Sequence, residues 1–240
     1  SEWASTFGLN SNKPFYFPSA SVAWQFSQLN ILPEELLSFG KLRFSYAEVG
    51  VQPTRYNTFA EYVSPNYGDS LGGSLSTGLF GGGGFTPDNS LGNPSLKPER
   101  KKEFEIGTDL RFLDDKLKFS ATYYSNKISD ILINFPLAPT RGYTQLYGNA
   151  ASMKNDGVEL ELGSNIYRDS NWNVNMSLLY SKNKNEVTDL LEGVESIRLA
   201  TGLGGVHNRA MLGQQHGILW GDKTLRDASG KIETDANGFP

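Results

Sequence analysis

The chain has 240 residues, enough to bury a full core as one domain, and nothing in its composition marks it as disordered. A net charge of −4 and a pI of about 5.3 offer no basic field for nucleic acid, and the absence of cysteine excludes disulfides, zinc-thiolate sites and thiol catalysis. No apolar run approaches the ~20 residues of a membrane-spanning helix and the mean hydropathy is −0.41; a β-barrel stays open, because lumen-facing residues dilute the lipid-facing ones. Ser1 to Ala4 lack the basic and apolar regions of a secretory signal, so the expectation is a removed signal or an internal excerpt.

Residues 5–19, with Asn10, Asn12, Pro14 and Pro18 among aromatics, read as a loop descending into a strand. Val22, Trp24 and Phe26 then alternate with Ser21, Ala23, Gln25 and Ser27. Pro33 followed by Glu34 and Glu35 predicts one short helical turn, and Leu42, Phe44 and Tyr46 alternating with Lys41, Arg43 and Ser45 predict the returning strand. Residues 50–97, with four prolines and the run Gly81 to Gly84, form a connection far longer than is usual within a compact domain.

The stretch 93–181 organises the chain as two hairpins. Phe104, Ile106, Thr108, Leu110 and Phe112 alternate with Glu103, Glu105, Gly107, Asp109 and Arg111. With a turn at Asp114 and Asp115, Phe112 falls opposite Leu117, Leu110 opposite Phe119 and Ile106 opposite Tyr123, so the apolar sets share a face. The second hairpin sets Val158, Leu160, Leu162 and Ile166 against Trp172, Val174, Met176, Leu178 and Tyr180, with Glu159, Glu161, Asn165, Asn173, Asn175 and Ser181 on the other face and the turn at Arg168 to Ser170. Further long connections are expected over 131–153 and from about Val187 onward.

Short and long connections thus alternate, which in an up-and-down sheet puts all short turns at one end and all long loops at the other. Outer-membrane barrels have that asymmetry, whereas Greek-key sandwiches distribute their loops less regularly. Six strands do not close the smallest transmembrane barrel, which needs about eight, so the chain is read as part of something larger. A soluble β-sandwich binding module or adhesin is the alternative, because alternation alone also describes a sandwich.

Several constellations invite chemistry, and for each a plainer reading is preferred. Glu103/Glu105 and Glu159/Glu161 have the same-face spacing of about 7 Å that a hydrolase pair would need, yet no activating histidine stands nearby, and they suit a solvated lumen. His207 and His216 with Asp222 match no metal-ligand spacing, and the segment from Asp227 lacks the alternating oxygens of a calcium loop. Neither Gly202 to Gly205 nor Gly81 to Gly84 opens a helix as a phosphate cradle does. No metal site, cofactor or catalytic residue is assigned. Lys97, Arg100, Lys101 and Lys102 cluster where anionic lipid headgroups would lie. Aromatics in the long connections, Tyr56, Tyr62, Tyr67, Phe80, Phe85, Tyr143, Tyr147 and Trp220, are candidates for contact with a substrate or with a covering protein.

Asn93-Pro94-Ser95-Leu96-Lys97-Pro98-Glu99, followed by Glu103, Glu105, Gly107 and Asp109, resembles the segment entering a late barrel strand in TonB-dependent outer-membrane transporters, most of all their SusC/RagA branch. Lys154 to Leu160 resembles the start of the family's following strand, and Gly213 to Gly217 with Trp220, Gly221, Asp227, Gly230 and Lys231 its next long loop. The resemblance covers nearly the whole chain, least typically over 53–90. It implies an all-β, antiparallel, up-and-down barrel of about 22 strands, of which residues 1–240 are one part, without the plug domain or the closing strands. It implies import of glycan fragments or peptides across the outer membrane of Bacteroidetes-like bacteria, under a SusD-like lipoprotein lid and with TonB engaged through the absent plug region. Lipopolysaccharide is the expected surrounding lipid. On this reading Glu103, Glu105, Asp109, Arg111, Glu159 and Glu161 face the lumen, and Phe104, Leu110, Phe119, Leu160, Trp172 and Leu178 face lipid. A β-rich hydrolase of the outer membrane or the secreted fraction is the second alternative.

Overall fold

The computed structural model of the protein describes residues 4–29, 33, 36–68, 74–76, 84–201 and 205–235. Six strands form one antiparallel path: β1 (Ser19–Trp24), β2 (Leu37–Val51), β8 (Glu99–Phe112), β9 (Leu117–Pro136), β10 (Gln145–Arg168) and β11 (Asn173–Leu190), each paired with the next. Every neighbour in the sheet is therefore a neighbour in the chain among these six, which is the up-and-down order.

The predicted register of the first hairpin holds. Phe112 pairs with Leu117, Leu110 with Phe119 and Ile106 with Tyr123. Asp114 and Asp115 have φ of 53° and 64°, the left-handed pair that a tight turn matched to strand twist demands, and Leu113 before them is also left-handed at 55°. In the second hairpin Leu162 pairs with Leu178 and Leu160 with Tyr180, but a bulge after Asn165 brings Tyr167, not Ile166, opposite Val174. Trp172 precedes β11 and belongs to the turn, where it is exposed.

That turn is built on one carboxylate. Asp169 Oδ1 accepts from the amides of Asn171 and Trp172, both at 2.7 Å, and Asp169 Oδ2 accepts from the Tyr167 hydroxyl at 2.6 Å. The Tyr167 hydroxyl and then the two amides hold the carboxyl of Asp169 below its ordinary value. Because the folded pKa is depressed, the stabilisation is complete above the unfolded value of about 3.9 and is lost as pH falls through the folded one. Amide protection of Asn171 and Trp172 is expected to drop in acid, and Asp169→Ala is expected to flatten that dependence. Protection factors that stay constant from neutral to strongly acidic solution would contradict it.

Elsewhere the chain departs from the sequence expectations. Residues 5–10 form a 3₁₀ segment kinked at Gly8 rather than a loop, and Phe26 starts a second 3₁₀ turn (Phe26–Leu29) instead of continuing β1. Leu36 and Leu37 donate to the Pro33 carbonyl, as a turn there requires, while Glu34 and Glu35 lie outside the described residues. The connection expected over 131–153 is mostly strand and shrinks to 137–144. Bulges around Ile131 and Ala151, with Asp130 at a φ of 57°, break the alternation that marks a strand in sequence and so disguised it as loop. Short pairs punctuate the long connections: β3 (Tyr62–Val63) with β6 (Thr86–Pro87), β4 (Asn66–Gly68) with β5 (Ser74–Ser76), and β7 (Ser90–Leu91) parallel to the start of β10. After β11 a separate sheet of β12 (Ser196–Thr201), β13 (His207–Met211) and β14 (Ile218–Trp220) stands where a loop was expected. It packs through Ile197 and Ala210 on Val187 and Leu190 of β11.

Candidate functional site: a two-faced wall and its mouth

On β2 and β8 exposure is inverted relative to a soluble sheet. On β8, Lys102, Phe104 and Ile106 are exposed while Glu103 and Glu105 are half-buried and Gly107 is buried. The polar face is the more enclosed one on these strands and is taken as the concave side, with the apolar face as the convex side, as in a sheet curving towards closure. A sandwich module would bury Phe44, Phe104, Ile106 and Tyr123, and here each is 37–43% exposed.

The concave face is a continuous hydrogen-bonded lattice. Asp109 takes Lys41 Nζ at 2.9 Å, Arg43 Nε at 3.1 Å and the Ser120 hydroxyl at 3.0 Å, while Arg43 Nη2 reaches the Thr122 hydroxyl at 3.2 Å. One row higher the Ser45 hydroxyl donates to Glu105 at 3.3 Å, and above that Asn155 donates to Asn126 Oδ1 while Asn126 Nδ2 donates to Glu103, also paired with Lys101. Arg111 stacks on Phe39, its carbon 5.0 Å from the ring centre, and pairs with Asp115. Glu159 and Glu161 share this face and stand exposed. The Tyr124 ring lies over Gly157, filling the space a side chain would take.

On the convex face the pairing rows read Trp24–Leu42–Thr108–Ala121–Leu160–Tyr180 and Gly40–Leu110–Phe119–Leu162–Leu178. Phe26 covers Gly40 near one margin and Phe17 covers Gly50 near the other. Ten residues of strand span about 33 Å. Tilted by about 40°, that is a height of about 25 Å, the apolar band of an outer-membrane barrel. The upper margin crosses the rows obliquely: the first charge above the band is Lys102 on β8 and Lys127 on β9, but Asp156 on β10 and Lys182 on β11, progressively lower in the pairing. Oblique rows are what tilted strands produce. The basic cluster read from sequence is divided by this geometry. Lys102 is convex and pairs across the sheet with Lys127, next to Lys154, whereas Lys101 is concave and bonded to Glu103.

Entry into β8 is clamped from several sides. Leu96 is fully buried. Asn149 accepts from the Lys97 amide at 3.0 Å and donates to the carbonyls of Lys97 and Asp130, while Glu99 accepts from the Leu132 amide at 2.8 Å. Asn93 reaches the Tyr147 carbonyl, and the 3₁₀ segment docks by Leu9 onto Pro94 and by Asn10 onto the Leu96 carbonyl, with Gly8 so close to Pro94 that no side chain fits. The β9–β10 bulges exist to receive this strand entry. Asn149 escaped the sequence reading because it sat in an apparent loop with no periodic signal.

The mouth aromatics do not converge on one point. Tyr62 and Phe85 lie on and beside the β3–β6 pair, 71% exposed each, and Tyr56 is equally exposed in a turn with φ 67°. Tyr143 and Tyr147 flank the start of β10, half-buried. Trp220 carries Arg209 on its ring face at 5.3 Å. Tyr67 is in β4, and Phe80 lies outside the described residues. Among the described residues no group of His, Cys, Asp and Glu is arranged to hold a metal.

A strand order without crossovers, a polar concave face and an apolar convex band define the wall of an outer-membrane β-barrel. Residues 2–208 match the family model described as TonB dependent receptor-like, beta-barrel, and the chain belongs to that family. It is 29% identical over 235 residues to TonB-dependent receptor P26 of Formosa agariphila, covering 96% of this chain and 23% of that protein. It is 25% identical over 193 residues to TonB-dependent receptor SusC of Bacteroides thetaiotaomicron, covering 75% and 18%. A solved structure of the RagAB peptide transporter superposes with a TM-score of 0.66 at 27% identity, covering 82% of this chain and 20% of that one. The chain therefore spans about a fifth of the length of these relatives.

Proposed function

We propose that residues 1–240 form part of the wall and mouth of one barrel domain that imports nutrient oligomers, glycan fragments or peptides, across the outer membrane. The observation that carries this reading is the two-faced sheet, apolar side chains on one face and a hydrogen-bonded polar network on the other, with the apolar face the more exposed on β2 and β8, which suits acyl chains on one side and a wet conduit on the other. Glu103, Glu105, Asp109, Arg111, Glu159 and Glu161 then line the lumen, and Phe104, Leu110, Phe119, Leu160 and Leu178 meet lipid. Trp172, on its turn, sits at the periplasmic margin. A SusD-like lipoprotein covers the mouth aromatics, and the TonB complex supplies inner-membrane energy through a plug segment outside these residues. The row Lys102–Lys127–Lys154, on the convex face toward the long loops, is where lipopolysaccharide phosphates of the outer leaflet would lie, with Lys102 and Lys154 also paired to Glu48 and Asp156.

The paired carboxylates favour transport over hydrolysis. Glu103 and Glu105 are engaged by Asn126, Lys101 and Ser45 as members of the wall lattice, and Glu159 and Glu161 stand exposed on the same face with no histidine beside them, as groups lining a wet conduit would. Deleting the full-length gene and measuring uptake of labelled oligosaccharides and peptides tests the reading, together with extraction of the protein from membranes. A detergent-requiring protein that co-purifies with a lipoprotein and whose loss abolishes uptake of one oligomer class is the expected result. A species soluble without detergent would overturn it.

A further inference from the structure

We propose that a cavity at the mouth binds the anionic groups of the cargo, carboxylate or sulfate, through Arg198 and Arg209. The inference rests on the importer reading and adds to it the charge class of the oligomer. The cavity, of about 450 Å³, lies between the β12–β13 pair and the upper ends of β9 and β10, with Asn134, Thr144, Gln145 and Ser196 completing its polar lining. Among the described residues no acidic side chain lines it.

Arg198 and Arg209 stand directly opposite each other on β12 and β13. Like charges so placed repel, and a sheet tolerates them where a counter-charge comes from elsewhere. Neither arginine makes an ion pair among the described residues, although the chain carries 26 acidic residues. The Arg209 guanidinium is held in place by its Nη1 bond to the Ser196 hydroxyl at 3.0 Å and by stacking on Trp220, while its Nε is enclosed without a hydrogen-bond partner. Two facing guanidinium groups, one of them fixed, offer a carboxylate or sulfate the planar, charge-assisted donors that a lone flexible lysine would not, while the enclosed Nε of Arg209 takes no part. The sheet carrying the pair packs on Val187, whose register neighbours Met153, Ile128 and Lys101 form one row across the concave face. Anionic groups bound here sit above the lumen.

The test uses the full-length protein in detergent and isothermal titration with four probes: galacturonic acid oligomers, their methyl esters, a peptide rich in Asp and Glu, and its Asn and Gln counterpart. One acidic probe is expected to bind at least about tenfold tighter than its neutral counterpart, with the preference shrinking as salt rises. Which acidic probe wins distinguishes a glycan source from a peptide source. Arg198→Gln and the double variant with Arg209→Gln should erase the preference, while the double Lys variant should keep part of it. Arg198 is exposed, so its single variant keeps the fold. Equal affinity for acidic and neutral probes, binding of none, or a preference unchanged by the Gln variants overturns the inference. Uptake by cells is measured separately: selective binding without uptake would refute the importer reading and leave this site standing.

Discussion

Leu160→Arg is expected to prevent stable insertion of the full-length protein into lipid, while its chain neighbour Glu161→Ala leaves insertion intact. Leu160 sits in the middle of the convex apolar run of β10, between Val158 and Leu162, and is flanked in its row by Ala121 and Tyr180. An arginine near the bilayer midplane costs roughly 2–4 kcal/mol. Glu161 faces the other way, is exposed, and sits opposite Ser120 and Leu179. Heat-modifiable electrophoretic mobility after refolding into lipid vesicles reads both variants in one gel. Equal yields of folded barrel from the two would reverse the assignment of faces.

Leu96→Ala is expected to release the entry of β8 from the bulged ends of β9 and β10. A fully buried leucine cut to alanine loses roughly 2–5 kcal/mol, more where the site does not collapse. The loss is local because Leu96 lies in the segment that the side chains of Asn149, Asn93 and Asn10 hold by hydrogen bonds to backbone groups, outside the long ladders. Hydrogen exchange should quicken more than about tenfold over residues 4–15 and 93–100, with the middle of β9 unchanged. Unchanged exchange at Ser95 to Lys97 and at Leu9 would show that the clamp draws its stability from elsewhere.

What the sequence made legible is the part governed by period two. From Glu103 to Tyr124 and from Val158 to Tyr180, every residue's face follows from alternation and a fixed turn, and the register agrees residue by residue until the bulge at Asn165. Bulges are where the reading stopped. One extra residue at Asp130 and two shifts near Ala151 reset the parity, so long strands looked like a proline-bearing loop. The β12–β13 pair was missed for a different reason: five or six residues of Ile197, Leu199 or Arg209, Met211 alternate too briefly to stand out beside glycines. The arginine pair of the mouth exists only through that pairing, so no feature of either segment alone could reveal it.

The slanted upper margin of the apolar band has a consequence for fidelity of assembly. In any two-faced sheet a slip of one residue turns a strand inside out and is rejected, but a slip of two keeps every side chain on its proper side. A water-soluble sheet with uniform faces would scarcely notice. Here two residues displace a strand by about 6.6 Å along its length, or about 5 Å in depth at a tilt of about 40°. On the proposed lipid-facing reading, sliding β9, β10 or β11 downward by that amount would drag Lys127, Asp156 or Lys182 into hydrocarbon. The thickness of the bilayer thus acts as a gauge, rejecting the even-numbered misalignments that the strand pattern itself accepts.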